Sequence, residues 1–260
     1  MNTALWVLVG VIVGGMLLRM PIGFSMIASG IAYLLVKGQD VGLVAEQIGN
    51  GLYNSYVLLA VPLFVFAANI MNAGTVSERI FDFCRILVGR MRGGLAQVDI
   101  LVSVIFSGMS GSAIADAAGP GKLMIDMMLK DGRYSPGFAG ALAAAAATIG
   151  PIIPPSAAMI VYAYMAGPTV SVGALFMAGT IPGILLTAVF MFQCWYIAKK
   201  RGFPADGAPV TVRNIVLQTR RSFLTLAMPI VCIGGIVAGA FTATEGAAIA
   251  VGFALVIGFF

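Results

Sequence analysis

Residues 95–118 read LAQVDILVSVIFSGMSGSAIADAA, and residues 140–156 read GALAAAAATIGPIIPPS. Each is apolar enough for the core of a bilayer, and each is interrupted near its middle. In the first, Ser107-Gly108-Met109-Ser110-Gly111-Ser112 places glycine and serine where a continuous helix needs better helix formers, which favours a turn. In the second, Gly150-Pro151-Ile152-Ile153-Pro154-Pro155-Ser156 removes backbone donors and crowds the preceding turn, so a helix breaks there and frees its carbonyls. Non-helical backbone at membrane depth is tolerated only where protein or a water-filled cavity covers it. The two interruptions are therefore the candidate functional site.

Working outward, the chain of 260 residues is 60% hydrophobic and 10% charged, with a mean hydropathy of +1.01. No water-soluble surface can be built from that composition, so the expected fold is an all-α integral membrane protein. Apolar segments run roughly over 4–18, 21–36, 54–73, 95–118, 135–166, 181–198, 222–240 and 246–260, with amphipathic stretches at 41–53 and 75–90. The net charge of +5 comes from basic residues at the ends of apolar stretches and not along one polar face, which excludes a nucleic-acid partner. Cys84, Cys194 and Cys232 are too scattered for a metal site or a disulfide framework and read as small core residues. The absence of histidine removes imidazole acid–base catalysis and histidine metal sites. The start runs directly into Leu5–Leu18 without a basic stretch before it, so no cleaved secretory signal is expected.

Orientation follows from the basic clusters, because lysine and arginine near span ends stay on the cytoplasmic side. Arg79, Arg85, Arg90 and Arg92 form one cluster, Lys122, Lys130 and Arg133 a second, and Lys199 to Arg221 a third. A single crossing by 95–118 would separate the first two, whereas a re-entrant hairpin turning near Ser107–Ser112 keeps both inside. The segment 135–166 would be about 48 Å long if fully helical, enough to span while broken in the middle. Crossings counted this way put the N-terminus outside and give an odd number before 199–221, so a following repeat would be inverted. The last two spans resemble the first two, Ala250-Val251-Gly252-Phe253-Ala254 lining up with Ala28-Ser29-Gly30-Ile31-Ala32.

Transporters built on inverted repeats place substrate and ions at broken helices near the midplane, where free amides attract carboxylates and free carbonyls ligate sodium. Here the hairpin turn offers the hydroxyls of Ser107, Ser110 and Ser112 with carbonyls at Gly108 and Gly111. The proline break offers carbonyls around Gly150 to Pro154 with the Ser156 hydroxyl. These are hard oxygen ligands of the kind sodium takes. The plainer reading is that glycine and serine only let membrane helices approach closely. Asp116 is costly inside an apolar segment and reads either as functional or as a cap for the returning helix. Glu245, beside Thr242 and Thr244, reads as a cap, and Asp99 as a solvated or paired structural group. Trp6, Tyr53, Trp195 and Tyr196 read as interface anchors. A membrane enzyme is the rival class, since Gly108-Met109-Ser110-Gly111 matches the Gly-x-Ser-Gly pattern of rhomboid proteases, but the serine would lack an imidazole base. A non-transporting scaffold and another sodium-coupled elevator carrier are further alternatives.

The run Gly108–Gly119, followed by Met124–Tyr134, Ile152-Ile153-Pro154-Pro155-Ser156 and Ile160-Val161-Tyr162, closely resembles the large membrane subunit of tripartite ATP-independent periplasmic (TRAP) transporters. Pro21-Ile22-Gly23-Phe24 and the arginine-rich Arg79–Gly94 extend the likeness over nearly the whole chain. The resemblance implies an inverted-repeat elevator, with scaffold spans and an amphipathic arm over 1–74. The first transport repeat would cover 75–198 (hairpin 93–121, broken helix 135–166), followed by a cytoplasmic connection over 199–221 and a second scaffold repeat starting at 222–260. It implies a small four-helix membrane partner, a periplasmic binding protein, and a dicarboxylate or sialic-acid-like substrate crossing the bacterial inner membrane with sodium and without a cofactor. Sodium would sit at Ser107, Gly108, Ser110, Gly111, Ser112, Gly150, Ile153 and Pro154, and the acid at Ser110, Ser112, Asp116, Pro155 and Ser156. The second repeat is largely missing from this chain, which alone is expected not to transport.

Overall fold

In the computed structural model, described over residues 3–53, 56–73, 76–203, 205 and 212–259, every regular element is helical. The chain divides into two compact units, 1–56 and 57–260.

In the first unit, α1 (Thr3–Leu17) and α2 (Ile22–Lys37) pack as a pair, and α3 (Gly42–Tyr53) follows. The pair is close because small residues face each other: a Cβ on Gly15 would stand 2.5 Å from the Ser25 hydroxyl. The Asp40 carboxylate accepts the Gly42 amide at 2.9 Å and holds the entry to α3. Leu17 is 80% exposed and Phe24 64% exposed, surfaces that hydrocarbon accommodates and water would not.

The second unit contains α4 (Ala60–Ala73), α5 (Val76–Val88), α6 (Gly94–Ser110), α7 (Ala113–Asp116), α8 (Lys122–Asp131), α9 (Pro136–Ala147), α10 (Ala157–Ala166), α11 (Val172–Arg201), α12 (Val212–Val237) and α13 (Ala243–Phe259). A π turn at Ala117–Gly121 carries α7 into α8. α6 is the centre of this unit: α4, α5, α8, α9, α11 and α12 all pack on it. It is apolar nearly all round, the pattern of a helix buried on every side, and almost all of its residues are buried. α4 packs on α13 and α6, so it belongs with this compact unit.

The two longest apolar helices, α11 with 30 residues and α12 with 25 in its spanning part, are each long enough to cross a bilayer. Around the two predicted interruptions the apolar helices are shorter, with 17 residues in α6, 12 in α9 and 10 in α10. Trp195 stacks on Phe192 and carries the Lys199 ammonium over its ring at 5.5 Å, which suits an aromatic residue at a membrane interface. At the entry to α13 the Glu245 carboxylate accepts the Thr242 amide at 2.8 Å and its hydroxyl at 2.9 Å, which holds that exposed acid below the usual carboxylate range. The capping role read from the sequence is therefore present.

Two boundaries and the burial of one acid differ from the sequence reading. α11 begins at Val172, well before 181, because Val172–Thr180 are helix-compatible and Pro182 lies within a helix that neighbouring helices support. α12 begins at Val212, adding polar turns before the apolar run, so the connection over 199–221 is largely helical at both ends. Its residues 204 and 206–211 lie outside the described residues. Asp99 is not solvated: it is fully buried within α6, and neither carboxylate oxygen finds a hydrogen-bond partner among the described residues. The cause is that α6 starts immediately after Gly93 and is covered from its first turn, where Gly93 packs against Cys194 and Ala198 of α11.

Candidate functional site

The chain leaves α6 at Gly111, whose φ of +59° is the left-handed conformation glycine adopts freely. Its amide bonds back to the Ser107 carbonyl at 3.2 Å and ends the helix. Ser112 is extended, and its hydroxyl accepts the Ala115 amide at 3.4 Å, opening α7. α7, the π turn and α8 then lie along α6, which makes 94–131 a helical hairpin with its tip at Ser110–Ser112.

The second interruption spans Thr148–Ser156. After α9 the backbone bonds tighten, with the amides of Thr148, Ile149 and Gly150 reaching the carbonyls of Ala145, Ala146 and Ala147. Pro151, Pro154 and Pro155 have no amide to give. Helix α10 restarts at Ser156, whose hydroxyl accepts the Met159 amide at 3.4 Å. Among the described residues the carbonyls of Gly150 to Pro155 accept no backbone hydrogen bond, nor do those of Gly108 to Gly111. The Pro154–Pro155 peptide is cis.

The two interruptions meet. A Cβ on Gly111 would overlap the Pro155 carbonyl oxygen and lie 3.1 Å from Ser156 Cα. On the other side of the contact, a Cβ on Gly150 would stand 2.7 Å from Asp116 Oδ2 and 3.2 Å from the Ala113 amide nitrogen. Only glycine permits the first approach, and a Cβ at Gly150 would have to push the Asp116 carboxylate aside. Asp116, 1% exposed, accepts hydrogen bonds from the Ser110 hydroxyl at Oδ1 and from the Ser107 hydroxyl at Oδ2, the latter at 3.1 Å. Ser107 also reaches the Ser103 carbonyl at 2.5 Å. No ion pair reaches Asp116 among the described residues. The arrangement offers hydroxyls, free carbonyls and one buried carboxylate, and no metal-binding cluster of histidine, cysteine, aspartate and glutamate occurs among the described residues. It can hold a small hard cation and orient an anion at the start of α10.

Of the residues named from sequence, Ser107, Ser110, Gly111, Ser112, Asp116, Gly150, Pro155 and Ser156 belong to this meeting place, and Pro154 directly precedes the Pro155 that touches Gly111. Gly108 packs against Pro229 and Ile233 of α12. The Ile153 side chain packs against Gly183 of α11, leaving its backbone carbonyl as the available group. Sequence reasoning missed Ala113, whose amide faces Gly150, and Asn72, whose carboxamide presses on Gly119 behind the tip. The Asn69–Asn72 spacing near the end of an apolar span was the available signal for the second. It also missed Gln97, fully buried, whose amide donates to the Met191 carbonyl at 2.9 Å and ties α6 to α11.

The family described as the tripartite ATP-independent periplasmic transporter, DctM component, matches residues 9–260. The chain is 43% identical over 92% of its length to the sialic acid TRAP transporter large permease SiaM of Vibrio cholerae, covering 55% of that protein. It is 36% identical over 98% of its length to the 2,3-diketo-L-gulonate TRAP transporter large permease YiaN of Escherichia coli, covering 59% of it. With the C4-dicarboxylate TRAP transporter large permease DctM of Pseudomonas aeruginosa it shares 37% identity over 79% of its length and 47% of that protein's. The chain thus spans about half the length of the curated relatives it matches. With its apolar helices, its interrupted hairpin and this match over nearly all its length, the chain belongs to the DctM family of integral membrane large permease components of TRAP transporters, a family of transporters and not of enzymes.

Proposed function

We propose that this chain forms part of a permease that moves an organic acid across the bacterial inner membrane, driven by sodium, with its N-terminus on the periplasmic side. The carrying observation is the contact of Gly111 with the Pro155 carbonyl, reinforced by Gly150 against Asp116, which brings two sets of unpartnered backbone carbonyls and three serine hydroxyls to one place. Sodium takes oxygen ligands of this kind, and Ser107, Gly108, Ser110, Gly111, Ser112, Gly150, Ile153 and Pro154 are the residues assigned to it. The acid carboxylate lies beside them, near Ser110, Ser112, Pro155 and Ser156, where α10 begins and its first amides favour an anion. The three relatives are named for a sialic acid, a diketogulonate and a dicarboxylate. All are small carboxylates, and the substrate class proposed is the same.

In this reading the hairpin and broken helix travel together as a moving body against fixed scaffold helices, and the remaining length of the relatives supplies a second, inverted copy of the hairpin and break. A small four-helix membrane subunit and a periplasmic binding protein complete the transporter. The test is uptake of a labelled organic acid into proteoliposomes holding the full-length permease with its small subunit. Uptake is expected only with an inward sodium gradient and added binding protein. Equal uptake in potassium would remove sodium from the account.

A further inference from the structure

We infer that Asp116 supplies the charge of the sodium site without touching the ion, by taking the protons of the tip hydroxyls and leaving their lone pairs to the cation. This rests on the sodium reading above and assigns Asp116 a positioning role in place of contact with the acid. A serine hydroxyl has one proton and two acceptor lone pairs, so a hydroxyl that donates to a carboxylate presents its lone pairs elsewhere. Ser110 donates to Asp116 Oδ1 and accepts the Ser112 amide at 3.4 Å, which leaves it one lone pair for a cation, and Ser107 divides its proton between Asp116 Oδ2 at 3.1 Å and the Ser103 carbonyl at 2.5 Å. Asp116 is 1% exposed and has no ion pair among the described residues, so the hydroxyls alone do not neutralise it. A cation held on the far side of those hydroxyls does. The same carboxylate lies against Gly150, so it touches both interruptions.

The experiment is the sodium dependence of thermal unfolding of the purified chain in detergent, with choline chloride holding ionic strength constant. Wild type is expected to gain stability saturably with sodium. Asp116→Asn keeps the shape and loses the charge, and its sodium midpoint is expected to rise roughly 10- to 100-fold, the usual cost of losing a residue that supports metal ligands. A midpoint unchanged in a folded Asp116→Asn protein overturns the inference and leaves the sodium reading standing. No sodium effect in wild type overturns the sodium reading, and this inference with it. Should Asp116→Asn not fold, a sodium-minus-choline infrared difference spectrum of wild type labelled with 13C-aspartate decides. A shifted aspartate carboxylate band is expected, and a flat aspartate region overturns the inference.

Discussion

Replacing Gly111 with alanine tests whether the hairpin tip bears on the proline break. Two costs are expected. The left-handed backbone at φ +59° costs an alanine about 1–2 kcal/mol. The new Cβ must also displace the Pro155 carbonyl or move the tip, an overpacking of about 1–3 kcal/mol. The control is Gly132, where φ is +74° and a Cβ would meet nothing within 4 Å, so Gly132→Ala carries the backbone cost alone. Unfolding of both variants and wild type in mixed micelles, followed by circular dichroism, should therefore rank Gly111→Ala below Gly132→Ala by the overpacking difference. The sodium-dependent gain in stability should also fall only in Gly111→Ala. Equal losses in the two variants would mean that the tip and the break do not press on each other, and the site as described would be wrong.

Asp99→Asn removes a charge from a place where neither carboxylate oxygen has a donor among the described residues, so stability measured in the same way should stay level or rise. A loss of about 3–5 kcal/mol, the cost of breaking a buried pair, would show that Asp99 has a partner. In the proposed orientation the hairpin enters and leaves on the cytoplasmic side, so a cysteine replacing the exposed Lys130 should react with an impermeant thiol reagent only from the cytoplasmic face of oriented vesicles. Reaction from outside would require α6 or the return leg to cross the membrane.

Both interruptions were legible in the sequence because their cause is local. Glycine and serine at Ser107–Ser112 are poor helix formers, and prolines at 151, 154 and 155 delete backbone donors whatever surrounds them. Membrane physics requires irregular backbone at depth to be covered by something, and that the two interruptions cover each other is what the resemblance to the TRAP large subunit implies. The sequence could not say through which atoms they meet. The pairing of Gly150 with Asp116, and of Gly111 with the Pro155 carbonyl, depends on how α6 and α9 pack side by side, which no short window of residues encodes. Asp99 failed for a related reason: near basic residues it reads as a group at the membrane surface, and only the packing of α11 over the start of α6 buries it. The starts of α11 and α12 were read late because hydropathy marks where a helix becomes apolar, not where it begins.

The account stands on a cation held where the hairpin tip and the broken helix touch. Equilibrium binding of 22Na+ to the purified chain, competed by unlabelled sodium or potassium, addresses that directly when wild type is set beside Gly150→Val. The valine side chain would have to enter the space between Asp116 and the Ala113 amide. Saturable binding displaced by sodium and not by potassium, and lost in a folded Gly150→Val protein, is the predicted result. Binding that persists undiminished in that variant would place the ion elsewhere and contradict the account.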